Sequence, residues 1–313
     1  MPGHPPRPGG KDTPGPNVAL AEACRGMLGL RECKPLPLQQ PGDNRTPGPP
    51  LAHYASVAHV ARVYDYLLGG KDNFAADREA AEQAMLINPS VVPTARANRA
   101  FLARAIRYLT GEVGLRQFPD IGTGMPASSN IHEVAQSVAP QTRVVYVDHD
   151  PIVLCHARAL LISAPGGRTD FIEADLRQPL AILSEAARTL DFGRPVAIIL
   201  TAILHLIQDD EEPYQLVRQL VGALAPGSYV VISHAAADIG NGDMASMTIR
   251  LNELMAQQTT PRNYAQVSQF FEGLDLVEPG LVRVPEWRPA MAIDAKAPAQ
   301  MWAGVALKPA RLP

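Results

Sequence analysis

The stretch RQFPDIGTGMPA, residues 116–127, decides how the rest of the chain is read. An apolar run carries an acid at Asp120 and opens onto the glycines Gly122 and Gly124. Glycine tolerates positive φ and lets a ligand approach the backbone, so a strand ending in this turn is suited to present its end to a cofactor. Two features complicate the reading. Pro119 stands where a central strand should still donate hydrogen bonds, which predicts a first strand short of one ladder bond. Gly122-x-Gly124-x-x-Ala127 also has the spacing of a dinucleotide-binding turn.

Around this stretch the chain alternates. Strands are expected at 117–121, 143–147, 170–174, 196–201 and 229–233. Helices are expected at 131–138, from Pro151 behind an Asp150 cap, near 179–188 and near 211–224. Uninterrupted runs such as VVYV (144–147) and VAIIL (196–200) suit parallel strands buried on both faces. Repeated strand–helix units imply an α/β, doubly wound sheet with right-handed crossovers. Helices near 245–256 and 264–273 follow. The runs LDLVEPGLVRVPEW (274–287) and MWAGVALKP (301–309) then have no helix between them, which predicts a closing antiparallel hairpin. Before the sheet, residues 59–85 read as a helix, a Gly69-Gly70 break and a second helix. Residues 94–111 read as a third, with Phe101, Leu102, Ala105, Ile106 and Leu109 on one face.

Ligands of open α/β sheets sit at the carboxyl ends of the strands. Three successive expected strands end in a carboxylate: Asp120, Asp148 and Asp175. Asp148 follows Gly124 by 24 residues, a spacing suited to pairing with ribose hydroxyls. Asp120 discriminates between cofactors. A dinucleotide presents a pyrophosphate to the turn, and a carboxylate there repels it. S-adenosylmethionine presents an ammonium and a sulfonium, which a carboxylate attracts. Asn130 and Glu133 have capping-box spacing, so the next helix begins well after Gly124 and the Ala127 match is fortuitous. A nicotinamide-dependent oxidoreductase and a non-catalytic cofactor-binding module remain as alternatives. His205 is the catalytic candidate, because histidine titrates near neutral pH. A packing role beside Leu204 and Leu206 is the plainer reading. His132, on a helix, reads as structural or surface. The acidic run QDDEEP (208–213) supplies negative charge to a helix start, and no metal site is expected.

Bulk properties narrow the class. The chain has 313 residues, 46% hydrophobic and 19% charged, with net charge −3 and a pI of about 6.2. Nothing in that balance favours nucleic acid or an anionic membrane as partner. No apolar run reaches the length of a membrane span, and the first residues lack a signal-peptide core, so a cytoplasmic protein is expected. The three cysteines, Cys24, Cys33 and Cys155, form no metal-type pair, and no structural disulfide is expected in a reducing compartment. Residues 1–50 hold twelve of the thirty prolines and are expected to be a disordered leader before one domain over 51–310.

Eight stretches together resemble a bacterial family of S-adenosylmethionine-dependent methyltransferases. They are ARVYDYLLGGKDNFAADR, NRAFLARAIRYL, DIGTGMPASSNIHEVAQ, VVYVDHDPIVL, ADLRQP, LHLIQDDEEP, GSYVVISHAAAD and FFEGLDLVEPGLVRVPEWRP, and they span about 52 to 308. The resemblance implies a seven-stranded class I methyltransferase sheet with its last strand antiparallel and an N-terminal helical cap. It implies that Gly122 and Gly124 back the methionine part of the cofactor, with Asp120 near its ammonium. Asp148 is implied at the ribose, Asp175 and Leu176 beside the adenine, and Thr201 and Ala202 on the cleft floor. Tyr64, Tyr66 and Asn73 fall in a segment, 51–92, that the resemblance implies as a lid. This lid and residues 239–264 are expected to enclose a small-molecule acceptor. Oligomeric state is not readable.

Overall fold

A computed structural model describes residues 55–310. The expected leader lies outside the described residues. Three helices come first: α1 (Val60–Leu67), α2 (Ala75–Ile87) and α3 (Val91–Gly111). The alternating part follows as β1 (Gln117–Ile121), α4 (Ile131–Val138), β2 (Arg143–Asp148), α5 (Pro151–Leu160), β3 (Arg168–Glu173), α6 (Pro179–Ala186), β4 (Ala197–Thr201), α7 (Pro213–Gly222) and β5 (Tyr229–Ala235). Then come α8 (Asp243–Leu254), α9 (Tyr264–Ser268) and the short strands β6 (Asp275–Leu276) and β7 (Val282–Arg283), before β8 (Met301–Leu307).

The sheet order is β3-β2-β1-β4-β5-β8-β6, with β7 also pairing with β8. The first five strands are parallel, and β8 runs antiparallel to β5. This is the doubly wound α/β fold expected from the strand–helix alternation. The sheet has eight strands and not seven. The expected sixth strand is cut in two at Glu278-Pro279-Gly280. Pro279 has no N–H to donate, and Gly280 turns the chain at φ +90°.

Side-chain alternation explains the two layers. On β2, Val144 and Tyr146 face one side and Val145 and Val147 the other. The first pair packs with Phe101, Ile106 and Leu109 of α3 and with Ile131 of α4. The second packs with Ile182 of α6 and with Val217 and Leu220 of α7. Each fully buried side chain of this size contributes about 1.5–3 kcal/mol. Two caps set helix starts beside the cleft: Glu133 accepts from the Asn130 N–H at 2.8 Å, and Asp150 accepts from the Ile152 N–H at 2.8 Å.

Pro119 sits in full register with Val145 on the β2 side, so the ladder is unbroken there. On the β4 side the registered pairing shrinks to Asp120 with Ile199, as a missing donor requires. The Gln117 carboxamide compensates nearby, accepting from the Asp191 N–H at 2.7 Å and donating to its carbonyl at 3.0 Å. Cys24 and Cys33 lie outside the described residues, and the expectation of a disulfide-free chain lies there with them. Among the described residues, no helix is long and apolar enough to cross a membrane.

Candidate active site

The carboxyl ends of β1, β2 and β4 form the floor of a cleft, and α1, the N-terminal half of α3 and α8 form its roof. Of the residues singled out in the sequence, Asp120, Gly122, Gly124, Asp148, Thr201, Ala202, Tyr64 and His205 line it. Asp175, Leu176, Tyr66 and Asn73 do not.

The two glycines are required for different reasons. At Gly122, φ is +78° and an added Cβ would lie 2.6 Å from the Ile203 side chain, so the protein itself fills that space. At Gly124, φ is +67° and an added Cβ meets nothing within 4 Å, so this glycine faces the open cleft. The turn is tied to β2. The Gly122 N–H donates to the Val147 carbonyl at 2.9 Å, and the Gly124 N–H donates to Asp148 Oδ2 at 3.0 Å. Asp148 Oδ1 accepts from the Asp150 N–H at 3.0 Å. Asp148 therefore shapes the loop, and each of its oxygens keeps a lone pair for a hydroxyl donor. Burial raises its pKa, while the Asp150 and Gly124 amides pull it down.

Asp120 is only 6% exposed. Burial lifts its pKa to about 7; the Arg99 guanidinium opposes the rise and the Asp148 charge adds to it. A carboxylate held this dry near a ligand space favours a cationic partner. Arg99 also lines the cleft and donates to the carbonyls of Ser128 and Ser129 at 3.2 and 3.3 Å. Beside it, Asn98 donates to the Tyr64 hydroxyl at 3.0 Å, and that hydroxyl donates to the Ala95 carbonyl at 3.1 Å. Asn98 Oδ1 is buried without a partner.

The floor is fixed from β5. Ala202 adopts φ +55°, and its N–H is taken by Ser233, at 3.0 Å to the carbonyl and 3.1 Å to Oγ. His205 follows on a single turn, Leu204–Leu206. Its Nδ1 is buried with no hydrogen-bond partner, and burial plus the Arg262 charge hold its pKa near 4. Arg262 is fully buried and clamps this turn. It donates to the carbonyls of Leu204 at 3.1 Å and Ile207 at 2.9 Å, and to His234 Nε2 at 3.0 Å. His234 is thereby a packing partner. His132 is buried against the Tyr146 hydroxyl at 2.8 Å, which fits the structural reading.

Four expected residues have other occupations. Asp175 holds the Arg177 N–H at 2.9 Å and its guanidinium at 3.2 Å. Leu176 belongs to the core. The Tyr66 hydroxyl donates to Glu82 at 3.1 Å, away from the cleft. Asn73 braces the glycine turn after α1, donating to Asp65 at 2.8 Å and to the Gly70 carbonyl at 3.1 Å. Asp65, which the sequence reading passed over, lines the cleft and organises this turn, accepting also from the Asp72 N–H at 3.0 Å. Arg99 and Asn98 were passed over too. Thr94, Asn98 and Leu102 form one stripe of α3 facing the cleft, and polar residues interrupting an apolar stripe were the available signal. Among the described residues, no cluster of three or more His, Cys, Asp or Glu could hold a metal ion.

Residues 52–309 match the family described as S-adenosyl methyltransferase. Two solved structures resemble the chain over most of its length. A DUF574-family protein from Streptomyces avermitilis is 43% identical, with a TM-score of 0.78, covering 82% of this chain and 99% of that one. A putative methyltransferase from Thermobifida fusca is 39% identical, with a TM-score of 0.74, covering 84% of this chain and 100% of that one. Among curated proteins, none matches.

Proposed function

The chain belongs to the S-adenosyl methyltransferase family, and on that premise we propose that the cleft over Asp120 and Asp148 holds S-adenosylmethionine and a small-molecule methyl acceptor side by side. The nicotinamide alternative falls with the family match. The observation that carries the site reading is the buried Asp120 carboxylate beside an open glycine turn. It repels a phosphate and attracts an ammonium. Asn98 Oδ1, buried and lacking a donor, fits the same cationic group. Arg99 is the cation placed to meet a carboxylate. Asp148 has lone pairs free for ribose hydroxyls. Asp175 and Leu176 take no part in this reading.

When bound, the cofactor supplies a methyl group on a sulfonium, already an activated electrophile. The chain's own task is positioning and water exclusion, which can account for about 7–11 kcal/mol of a barrier at the upper end. Thr201 and Ala202 support the reacting region from below. His205, neutral at pH 7 and without a partner at Nδ1, is the side chain free to hold an acceptor's proton. Titration calorimetry with S-adenosylhomocysteine tests the site. Binding at micromolar ligand is expected, and Asp148→Ala should weaken it by about 1–3 kcal/mol. No heat at high micromolar ligand, with folded protein, would sink the reading.

A further inference from the structure

The cleft has two chemically different walls. The floor carries the glycine turn, Asp120 and Asp148. The facing wall is apolar and rich in methionine: Val63 of α1, Met244, Met247 and Leu251 of α8, and Met255 just beyond it. Asp65 is the carboxylate on the α1 side, and the Asp72 N–H and Asn73 amide already claim it. Arg99 stands on α3 beside the glycine turn and not on this wall. His205 lines the same cleft just past Thr201 and Ala202 of the floor, its ring edge-on to His234 at 5.7 Å.

We infer that the methyl acceptor is an uncharged, largely apolar aromatic molecule that docks on the methionine wall and points a hydroxyl group at His205. The inference rests on the methyltransferase reading above. An ammonium or carboxylate carried onto that wall would leave water without meeting a free counter-charge. Methionine side chains are flexible and polarizable, and their sulfurs contact ring edges favourably, so this wall suits a flat ring system. A neutral imidazole accepts a hydroxyl hydrogen bond and aligns the oxygen lone pair. Because His205 is a weak base, proton transfer follows bond formation. The hydroxyl oxygen bonds to the methyl carbon, the carbon–sulfur bond leaves its electron pair on sulfur, and the hydroxyl proton passes to the unprotonated ring nitrogen of His205. A phenolic hydroxyl, with a pKa of about 10, suits so weak a base better than an alkanol.

The test uses the full chain saturated with S-adenosylhomocysteine. Calorimetric titrations compare 1-naphthol, 1-naphthoate and 1-naphthylmethylamine: one ring system bearing a neutral hydroxyl, an anion or a cation. Naphthol should bind at least about tenfold tighter than either charged probe. Met247→Asp should weaken naphthol by about tenfold or more, measured with S-adenosylhomocysteine raised until it again saturates the variant. A charged probe that equals naphthol overturns the inference, and this comparison needs no variant to fold. So does a folded Met247→Asp protein with unchanged naphthol affinity. If the wild-type chain does not bind S-adenosylhomocysteine at all, the cofactor site itself fails and the acceptor proposal falls with it. If it binds the cofactor product without preferring naphthol, only the acceptor class fails.

Discussion

Asp120 faces Arg99 from α3, Asp148 from β2 and Thr123 from its own turn; burial, reinforced by the Asp148 charge, outweighs Arg99 and Thr123 and places its pKa at about 7. The folded protein thus holds a proton there that the unfolded chain releases near pH 4, and stability from this group falls as pH rises through about 7. Binding of an ammonium-bearing ligand runs the other way, because it selects the ionised carboxylate. Affinity for S-adenosylhomocysteine should rise between about pH 5.5 and 7.5, and Asp120→Asn should flatten that profile as well as weaken binding. An unchanged slope in the variant would assign the titration to another group. That Asp120 and Asp148 line the cleft was legible in the sequence, because a strand end in a parallel sheet opens onto it. Asp175 stays out of the cleft lining for a local reason: β3 is the edge strand, and two residues past it Asp175 turns back on Arg177. Asn98 and Arg99 were invisible to strand-end reasoning because they arrive from a helix that precedes the sheet.

At the scale of elements, the turn bearing His205 has almost no structure of its own. Arg262, itself tied by its N–H to the Ala235 carbonyl at the end of β5, holds it through the carbonyls of Leu204 and Ile207. Arg262→Met leaves those two carbonyls and His234 Nε2 without their donor, at about 1–3 kcal/mol each, so a loss of at least about 3 kcal/mol is expected in urea unfolding. His205→Ala, whose ring nitrogens make no bond to lose, should stay within about 1 kcal/mol of the parent. Equal losses for the two variants would refute the clamp. Apolar runs marked β2, β4 and β5, which are buried on both faces, whereas the edge strand β3, RTDFIE, is only half-buried and carries no such run. They could not mark the break between β6 and β7, because Pro279 and Gly280 look like an ordinary turn until their neighbours both pair with β8. In YDYLLGGKDNF, which fits a plain helix with a glycine turn as well as a lid, Asn73 serves the turn and Tyr66 faces Glu82.

For the molecule as a whole, the cleft lies between two cores of unequal strength. The sheet's two clusters contain large aliphatic and aromatic side chains packed on both faces. The third, joining α1, α2 and α8, is made of alanines and methionines around Val63, Leu67 and Leu251. Alanine buries little apolar area, and methionine packs without locking a single arrangement. That cluster is therefore the part that opens at least cost, and a ligand beneath it needs such an opening to enter. Because one cluster includes residues from both α1 and α8, the two should open together. Hydrogen exchange should show α1 and α8 amides exchanging faster than those of β2, β4 and β5 in the free protein. With S-adenosylhomocysteine bound, both helices should slow by about tenfold or more while the sheet changes little. Protection that appears in α1 alone would mean that α8 belongs to a separate unit, and that the methionine wall does not move with α1.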